Sequence, residues 1–487
     1  MLARLPVGQL VCGPTGSARP VVTPARLVPS ARTAGAQQSL VSRHAEQCNP
    51  QTGRRVVLTC GQANSSLQLP LDLDLEQPLP GFDSIAAALE DLAAGKLVVV
   101  IDDEDRENEG DLIMNADKVT TETMAFLVEY TSGVVCISME GADLDRLRLP
   151  LMVSSAENED TMYTAFTITV DLRDGITTGI SASDRAKTIR RLADPSAGAG
   201  DFRRPGHIFP LRYRPGGVLV RPGHTEAAVD LARLSGSFPA GVLCEVVNKD
   251  DGSMARTPQL LAFAKRHGLR CVTIADLIRY RLRHEALVAP AAEPAPVTVA
   301  DGATFSAHCF RSAVDGAEHL AFVHGAVADS ATEVLLYVHQ ERTVADLLNC
   351  SEPGTSGAAP SLDAALRAVA TAGAGVVLYM RGQTARGLAP SAELTALGAG
   401  AGGAELYSWD LKDAALAAQM LRALGVRSVA LAGSGGEGDA AMATALRSCG
   451  LGVRQVVAAP AAAPVAHHNG NGAGHVRPQS LQAAGFR

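Results

Sequence analysis

The sequence predicts an α/β protein, with a layered first domain followed by a second α/β domain. Short runs of apolar residues alternate with segments of helical periodicity over most of the chain, and this alternation is typical of a sheet covered by helices. Capping residues and glycines mark the ends of several of these segments. The length of 487 residues exceeds that of one ordinary hydrophobic core, so two domains with tails are expected.

The composition argues against several classes of protein. A net charge of -8 gives no overall attraction for nucleic acid or anionic lipid. No apolar run approaches the ~20 residues that cross a bilayer. The cysteines are scattered and never form a CxxC pair, which argues against a disulfide framework or a zinc ribbon. We therefore expect a protein of a reducing compartment that has neither nucleic acid nor a membrane as its partner.

Residues 1–65 have the composition of a transit peptide. They contain many arginines and serines, and Glu46 is their only acidic residue. This composition predicts a disordered segment that directs import, into a plastid rather than a mitochondrion. A disordered basic extension without an address is the alternative.

Residues 78–285 show the clearest element boundaries. Asp83 is the expected N-cap of a helix that ends at Gly95, and a buried strand at residues 97–101 follows directly. Further along, Thr257 with the proline behind it marks the start of another helix. These elements predict one α/β domain.

A second domain follows after a segment rich in alanine and proline. That segment, residues 286–302, is expected to be a linker. Residues 303–457 again alternate apolar strands with alanine-rich helices, as an α/β domain does. Residues 458–487 lack apolar periodicity and are expected to be a disordered tail.

The densest chemical signal is the acidic run DDEDRENEGD at residues 102–111, directly behind the strand at residues 97–101. An acidic run of this kind is usually a solvated loop. This one lies at the end of a strand in an α/β pattern, where ligand crevices form. Carboxylate ligands for a divalent cation are therefore a competing interpretation.

Two similar turns lie downstream, RPGHIFP at residues 204–210 and RPGHTEA at residues 221–227. Each places an arginine and a histidine beside a Pro-Gly pair, and a histidine in a turn is usually only solvated. In the second turn, Arg221 and Thr225 add a guanidinium and a hydroxyl to the free N–H groups of a helix start. This combination predicts a phosphate-binding site.

Two further features are ambiguous from the residues alone. Glu245 is a carboxylate in an apolar strand at residues 241–248, where burial without a partner is costly. A carboxylate on an edge strand that faces water is an equally good interpretation. The hydroxyl-rich turn TTGISASDR at residues 177–185 fits either a sugar or phosphate site or a helix cap.

Taken together, these segments resemble the 3,4-dihydroxy-2-butanone 4-phosphate synthase family. The strings DDEDRENEGD, TTGISASDRAKTI, RPGHIFPL, RPGHTEA and GVLCEVVN carry the resemblance, which covers residues 82–285. It implies an α/β fold, a homodimer with active sites at the subunit boundary, and a requirement for Mg²⁺ or Mn²⁺. The implied reaction is a lyase step of riboflavin biosynthesis that converts ribulose 5-phosphate to 3,4-dihydroxy-2-butanone 4-phosphate and formate.

The resemblance also implies roles for individual residues. Glu107 and His224 would bind the metal ion, and His207 and Glu245 would be the catalytic acid–base pair. A histidine ligand is unusual for Mg²⁺, so substrate hydroxyls and waters would complete the shell, or Mn²⁺ would take its place. The substrate-binding residues would be Arg106, Glu107, Asp111, Arg221, Pro222, Gly223, His224, Thr225 and Glu245, with residues 221–225 at the phosphate end.

After residue 303 the chain resembles a degenerate GTP cyclohydrolase II domain. Residues 339–343 (HQERT) stand where that family has a zinc-binding cysteine, and only Cys350 is nearby. One thiolate cannot form a three-cysteine zinc site. Residues 379–387 (YMRGQTARG) also depart from the family pattern, and Lys412 replaces an arginine whose planar fork lysine cannot supply. The resemblance therefore predicts neither bound zinc nor GTP cyclohydrolase activity.

The chain as a whole resembles the riboflavin biosynthesis fusion proteins of plants and algae and is expected in the plastid stroma. Two alternatives to a monofunctional lyase stay open: a bifunctional enzyme that also acts on GTP, and a non-catalytic scaffold or regulator of the pathway. Whether the second domain still binds GTP or a protein partner also stays open.

Overall fold

A computed structural model describes residues 77–299, 301–328, 334–348, 361–381, 394, 409–433 and 437–458. The expected transit peptide at residues 1–65 and the expected tail beyond residue 458 lie outside the described residues, as does Cys350. None of the helices within the described ranges is long and apolar enough to cross a membrane.

The first domain is built on a seven-stranded mixed sheet. Its strands are β1 (Val98–Ile101), β2 (Gly110–Asn115), β3 (Cys136–Met139), β4 (Val170–Leu172), β5 (Phe202–Arg212), β6 (Ala240–Glu245) and β7 (Arg270–Thr273). Their order across the sheet is β4-β5-β3-β6-β2-β1-β7. Strands β1, β2 and β6 are buried along almost their whole length, which explains why they are continuous apolar runs in the sequence.

Helices pack against this sheet and complete the α/β fold that the sequence predicts. They are α1 (Ile85–Ala93), α2 (Thr121–Tyr130), α3 (Gly141–Arg146), α4 (Ala182–Leu192), α5 (His224–Leu234), α6 (Thr257–His267) and α7 (Ile274–His284). Helix α5 lies on β6, β2 and β3. Its close approach requires Gly241, where an added Cβ would lie only 2.5 Å from the carbonyl oxygen of Ala228.

Helix α1 begins with Ser84 rather than Asp83 as its N-cap. The Ser84 hydroxyl accepts a hydrogen bond from the backbone N–H of Ala87 at 3.3 Å. The Asp83 carboxylate instead accepts hydrogen bonds from the Arg270 guanidinium at 2.7 Å and from the N–H of Cys271 at 3.0 Å. The prediction that Asp83 caps the helix is therefore wrong, because this side chain joins α1 to β7.

The register of the sheet places three residues of the predicted site in one row on one face. Asp111 of β2 is paired with Glu245 of β6. Cys136 of β3 is paired both with Leu243 of β6 and with Phe209 of β5. Glu245 lies two residues from Leu243 along β6, and His207 lies two residues from Phe209 along β5. Both displacements point towards the N-terminal end of β3. Paired residues point to the same face, as do residues two apart on a strand. The side chains of Asp111, Glu245 and His207 therefore share the face on which α5 packs.

The second domain contains a further mixed sheet. Its strands are β8 (Val288–Pro290), β9 (Ala295–Thr298), β10 (Thr304–Ser312), β11 (Glu318–His324), β12 (Val334–Gln340), β13 (Gly375–Met380), β14 (Ser428–Gly433) and β15 (Gly452–Ala458). The order is β15-β14-β12-β13-β11-β10-β8, and β9 pairs with β10 outside this path. The described helices of this domain are α8 (Thr343–Leu348), α9 (Leu362–Ala372), α10 (Leu411–Ala423) and α11 (Glu437–Ser448).

The segment at residues 286–302 is more than the linker that its composition predicts. Strands β8 and β9 lie within it, and both pair antiparallel with successive parts of β10. Proline lacks the backbone N–H that a strand inside a sheet needs for pairing. On an edge strand that group can face away from the sheet, so Pro290 and Pro296 are compatible with these strands. The expectation of a bare linker is therefore corrected, because the segment forms an edge of the second sheet.

The two domains are joined by a continuous cluster of buried apolar side chains and by the side-chain amide of Gln419 on α10. The Gln419 Oε1 accepts the N–H of Leu287 at 2.7 Å, and its Nε2 donates to the carbonyl of Glu285 at 2.9 Å. A single side chain of the second domain thus satisfies two backbone groups at the junction of the two domains.

A buried ion pair lies next to this junction. The Arg281 guanidinium on α7 donates to the carboxylate of Asp230 on α5 at 2.6 Å and to the carbonyl of Gly216 at 2.9 Å. Arg281 also pairs with Glu285 at 2.8 Å, and the Tyr213 hydroxyl donates to Asp230 at 2.9 Å. The network ties helix α5 to the chain that enters the second domain.

Replacing Arg281 with methionine is expected to lower the free energy of unfolding by about 3 kcal/mol, because the fully buried Asp230 would lose its strongest counter-charge. Urea unfolding followed by circular dichroism measures this change. Arg266→Met, at an exposed position on α6, is the matched control and should change the free energy by less than about 1 kcal/mol. Equal effects of the two substitutions would contradict the expectation.

Candidate active site

The acidic run folds into a loop that its first carboxylate holds together. Asp102 is 7% exposed, and its two oxygens accept the backbone N–H groups of Glu107 at 3.1 Å and Glu109 at 2.9 Å. The Arg106 guanidinium donates to Asp102 at 2.8 Å and to Glu107 at 2.7 Å. Asp102 therefore fixes the path of the loop, a role that was not predicted from the sequence.

Glu107 and His224, far apart in the sequence, meet above the end of β1. The Nδ1 of His224, the first residue of α5, is 3.5 Å from Oε2 of Glu107 and 3.9 Å from Oδ1 of Asp111. The other ring nitrogen, Nε2, lies 3.1 Å from the carbonyl oxygen of Val100. That carbonyl can only accept a hydrogen bond, so Nε2 carries the proton and Nδ1 faces the two carboxylates.

The charges of this group shift the pKa values strongly. Burial raises the pKa of Glu107, but the hydrogen bond with His224 and the charge of Arg106 outweigh burial and lower the pKa to about 2. Burial lowers the pKa of His224, but Asp111 and Glu107 outweigh it and raise the pKa to about 9. Burial raises the pKa of Asp111 to about 8, against the opposing charge of His224. The group therefore favours additional positive charge.

The side chains fit a hard divalent cation. Within the described ranges, Asp102, Glu107 and His224 are the one group of His, Cys, Asp or Glu side chains that offers three ligand atoms within 4.8 Å of one another. Beside them, the Oδ1 atom of Asp111 is buried without a hydrogen-bond partner. Carboxylate oxygens with one imidazole suit Mg²⁺ or Mn²⁺.

Arg221 lies at the predicted phosphate-binding turn but is already engaged within the protein. Its guanidinium donates to Glu226 at 2.6 Å, to the carbonyl of Met162 at 3.0 Å and to the hydroxyl of Thr164 at 3.3 Å. Gly223, the N-cap of α5, has no room for a Cβ because that atom would collide with the Arg221 guanidinium.

The predicted phosphate-binding residues do come together at the start of α5. A Cβ on Gly223 would also lie 3.0 Å from the guanidinium of Arg106, so two arginines flank this turn. Thr225 is the second residue of α5 and is 6% exposed. The first N–H groups of a helix have no partner within the helix and attract anions.

Glu245 is half-buried at the end of β6, and its side chain has a defined partner. The Ser132 hydroxyl donates to Oε2 of Glu245 at 2.6 Å, and the Ser132 N–H donates to the Glu245 carbonyl at 2.9 Å. The interpretation of Glu245 as an edge-strand carboxylate that faces water is wrong, because β6 lies between β3 and β2. Ser132 was not predicted, and nothing in its sequence context marks it.

His207 forms a close pair with Asp171 of β4. The Nδ1 of His207 is 2.7 Å from Oδ2 of Asp171, and the backbone N–H of His207 donates to Oδ1 at 2.9 Å. Asp171 was not predicted as a site residue. The signal was present, because Asp171, like Glu245, is a carboxylate within an apolar strand.

The hydroxyl-rich turn at residues 177–185 folds as a helix cap. Ser181 is the N-cap of α4, and the Thr177 hydroxyl donates to Asp184 at 2.6 Å. Between them, Gly179 has a φ of +102° and lies directly against Asp171 and His207. The helix-cap interpretation therefore agrees with the hydrogen bonds within the turn. In addition, Gly179 of the turn packs against the pair formed by His207 and Asp171.

In the second domain, the segment HQERT at residues 339–343, which the resemblance aligns with a zinc-binding cysteine, begins with a hydrogen-bonded histidine. The Nε2 of His339 is 2.9 Å from Oδ1 of Asp346, and the Tyr379 hydroxyl donates to Oδ2 of Asp346 at 3.1 Å. The rings of His339 and Tyr379 stack with centroids 5.5 Å apart. Arg381 lies 3.4 Å from Glu341, and the rest of the predicted motif, residues 382–387, lies outside the described residues.

Comparisons with known proteins agree with this division of the chain. Residues 86–280 match the family described as 3,4-dihydroxy-2-butanone 4-phosphate synthase, and residues 291–457 match the family described as GTP cyclohydrolase II. An Oryza sativa subsp. japonica protein named "Probable bifunctional riboflavin biosynthesis protein RIBA 1, chloroplastic" is 45% identical over 406 residues, 82% of this chain and 73% of that protein.

Two other similar proteins bear different names. An Arabidopsis thaliana protein named "Monofunctional riboflavin biosynthesis protein RIBA 2, chloroplastic" is 48% identical over 360 residues, 74% of each chain. The crystal structure of RibBX, described as a two domain 3,4-dihydroxy-2-butanone 4-phosphate synthase from A. baumannii, is similar with a TM-score of 0.59 and 35% identity. That similarity covers 77% of this chain and 99% of the RibBX chain.

Proposed function

Since the chain belongs to the family of riboflavin biosynthesis proteins that join a 3,4-dihydroxy-2-butanone 4-phosphate synthase domain to a GTP cyclohydrolase II domain, we propose that only its first domain is catalytic. Residues 78–285 would convert ribulose 5-phosphate to 3,4-dihydroxy-2-butanone 4-phosphate and formate. Residues 303–457 would form a domain without cyclohydrolase activity. The observation that carries the proposal is the row of Asp111, Glu245 and His207 beneath the Glu107–His224 pair.

Glu107 and His224 would hold the divalent cation, which we propose to be Mg²⁺ or Mn²⁺. Three donors already occupy the Asp102 oxygens, so Asp102 would position Glu107 rather than bind the ion directly. The hydrogen bond to the carbonyl of Val100 would orient the His224 ring, as partners of metal-binding histidines generally do. When bound, the cation supplies Lewis-acid polarisation of the ketone and the neighbouring hydroxyl.

The row of acid–base groups would move the protons of the reaction. His207 and Glu245 lie two strands apart on one face of the sheet, so a small sugar can lie between them. One group removes the proton beside the ketone to give an enediolate, and the other protonates the hydroxyl that leaves as water. After the carbon skeleton rearranges, a water adds to the carbonyl carbon that is to be lost. That carbon then leaves as formate and a four-carbon ketone phosphate remains, so the water lost earlier is replaced and the reaction balances.

The start of α5 would hold the other end of the substrate. Residues 221–225 combine the free N–H groups of a helix N-terminus with Thr225 and with the guanidinium groups of Arg106 and Arg221. The same helix start carries His224. The cation and the phosphate of the sugar would therefore be positioned by one rigid element.

A homodimer with its active sites at the subunit boundary is also proposed. Loops beside the site expose large apolar side chains, and such exposure marks surfaces that other molecules cover. One of them, Ile180, is adjacent to the glycine that supports His207. The exposed side chains are Val134, Met152, Val153, Tyr163 and Ile180.

The proposed inactivity of the second domain is supported by the missing zinc-binding cysteines in its sequence. Residues 339–343 (HQERT) have no cysteine where the family has a zinc ligand, and Cys350 is the one cysteine nearby in the sequence. Without zinc, no activated water is available to open the imidazole ring of GTP. RibBX, described as a two domain 3,4-dihydroxy-2-butanone 4-phosphate synthase, and the Arabidopsis relative, named monofunctional, are consistent with a two-domain chain that has one activity.

We place the protein in the plastid, and within it in the stroma, because its plant relatives are named chloroplastic. The basic composition of residues 1–65 is consistent with import.

We expect the full chain to release formate from ribulose 5-phosphate with Mg²⁺, to lose this activity in EDTA, and to leave GTP unchanged. Formate dehydrogenase coupling and chromatography of GTP measure the two reactions, and metal analysis should find no stoichiometric zinc. Turnover of GTP would favour the bifunctional alternative. Absence of both reactions would favour a scaffold, for which thermal stabilisation by GTP is the next measurement.

A further inference from the structure

The carboxylate of Asp171 is buried and directed at His207. Its side chain is 3% exposed, while the His207 side chain is 41% exposed. No cation of the described residues forms a salt bridge with Asp171 other than this imidazole. A buried carboxylate without a partner is costly, so His207 is what satisfies Asp171 here.

The two contacts between these residues determine which nitrogen of His207 is free. Because Oδ1 of Asp171 accepts the backbone N–H of His207, Oδ2 is the atom that faces Nδ1. An ionised carboxylate only accepts hydrogen bonds, so the proton of the neutral ring must be on Nδ1. The lone pair is then on Nε2, the ring nitrogen that does not contact Asp171.

Gly179 keeps this pair compact. A Cβ at that position would collide with Oδ2 of Asp171 and would lie 2.7 Å from Nδ1 of His207. The glycine has a φ of +102°, a conformation that other residues rarely adopt. Asp184 holds the turn in place by accepting the Gly179 N–H at 3.2 Å.

We propose that Asp171 is the positioning residue for His207, and that it fixes the proton on Nδ1 so that Nε2 serves as the acid–base atom towards the substrate. The proposal rests on the proposed synthase function. Asp171 itself does not touch the substrate, and it also stabilises the imidazolium that forms when Nε2 takes up a proton.

Asp171→Asn tests the proposal, because the substitution reverses the hydrogen bond without changing the shape. The amide oxygen of asparagine would still accept the N–H of His207, so its NH₂ group would face Nδ1 and force the proton onto Nε2. We expect kcat for formate release to fall about 10²-fold, with KM and the affinity for Mn²⁺ unchanged. Asp171→Glu, which keeps the acceptor, should retain more activity than Asp171→Asn.

The matched control is Asp174→Asn, which removes the same charge from an exposed position three residues away and should leave kcat unchanged. Nitrogen-15 NMR of the histidine-labelled full chain reads the tautomer directly, with His207→Gln identifying the signal. The wild type should carry the proton on Nδ1, and Asp171→Asn should carry it on Nε2.

A wild-type proton on Nε2 would overturn the proposal even if no variant folded. So would an Asp171→Asn protein that turns over at the wild-type rate. Failure of the wild type to release formate would instead overturn the proposed function, and the NMR measurement would still test the role of Asp171.

Discussion

Replacing Glu107 with glutamine is expected to lower kcat/KM for formate release about 10³-fold, because the contribution of a divalent cation to such a reaction is several kcal/mol. Glu107 is the carboxylate nearest to Nδ1 of His224, at 3.5 Å. Glutamine has the same shape but lacks the charge that attracts the cation. The loss should appear in cation binding as well as in turnover.

Titration with Mn²⁺ followed by electron paramagnetic resonance measures the binding. Glu104→Gln makes the same substitution at an exposed position of the same loop and should bind Mn²⁺ as the wild type does. If Glu107→Gln retains wild-type Mn²⁺ affinity, Glu107 is not a ligand. Circular dichroism checks that the loop substitution leaves the fold unchanged.

Replacing Glu245 with glutamine is expected to lower kcat about 10³-fold while Mn²⁺ affinity stays at the wild-type level. Glu245 is paired with Asp111 across β6 and β2 and is held by the Ser132 hydroxyl at 2.6 Å. Its position in the row fits proton transfer, and glutamine cannot exchange a proton. The separation of turnover from cation binding distinguishes this role from that of Glu107.

Ser132→Ala provides a graded comparison, because it removes one hydrogen bond that orients Glu245 but keeps the carboxylate. A loss of about 10-fold in kcat is expected, which corresponds to one ordinary hydrogen bond. A Glu245→Gln protein that is less impaired than Ser132→Ala would contradict the assignment of Glu245 to proton transfer.

Local sequence signals predicted the α/β fold because the strands are buried on both faces and the helices end at recognisable caps. Strand β1 and helix α5 illustrate this, since one is a continuous apolar run and the other follows a Pro-Gly turn. The boundaries were less predictable. Asp83 and Ser84 are both good N-caps, and only the contact of Asp83 with β7 decides between them.

The segment at residues 286–302 shows a different limit. Its alanine and proline content is typical of a linker, and edge strands tolerate that composition. The pairing of β8 and β9 depends on β10, which lies later in the chain. A local pattern cannot reveal a partner of that kind.

Some residues of the candidate site could also be predicted from local patterns, whereas others depend on tertiary contacts. Glu107, His224, His207 and Glu245 were predicted from motifs, and the fold brings Glu107 to His224. Asp102 was missed because its role depends on loop closure. Asp171 carries the signal of a carboxylate in an apolar strand, but its pairing with His207 comes from the approach of β4 to β5. The partners of a buried carboxylate are a property of the tertiary structure.

The contact of Gln419 with residues 285 and 287 has a consequence for how such a chain can change over evolutionary time. Under the proposed function, the second domain could lose its catalytic residues without penalty, whereas α10 could not be lost. Removing it would leave two backbone groups unpaired and strip apolar side chains from the shared core. Selection would then preserve the helix and discard the zinc ligands, so that an inherited enzyme persists as a structural support for its neighbour.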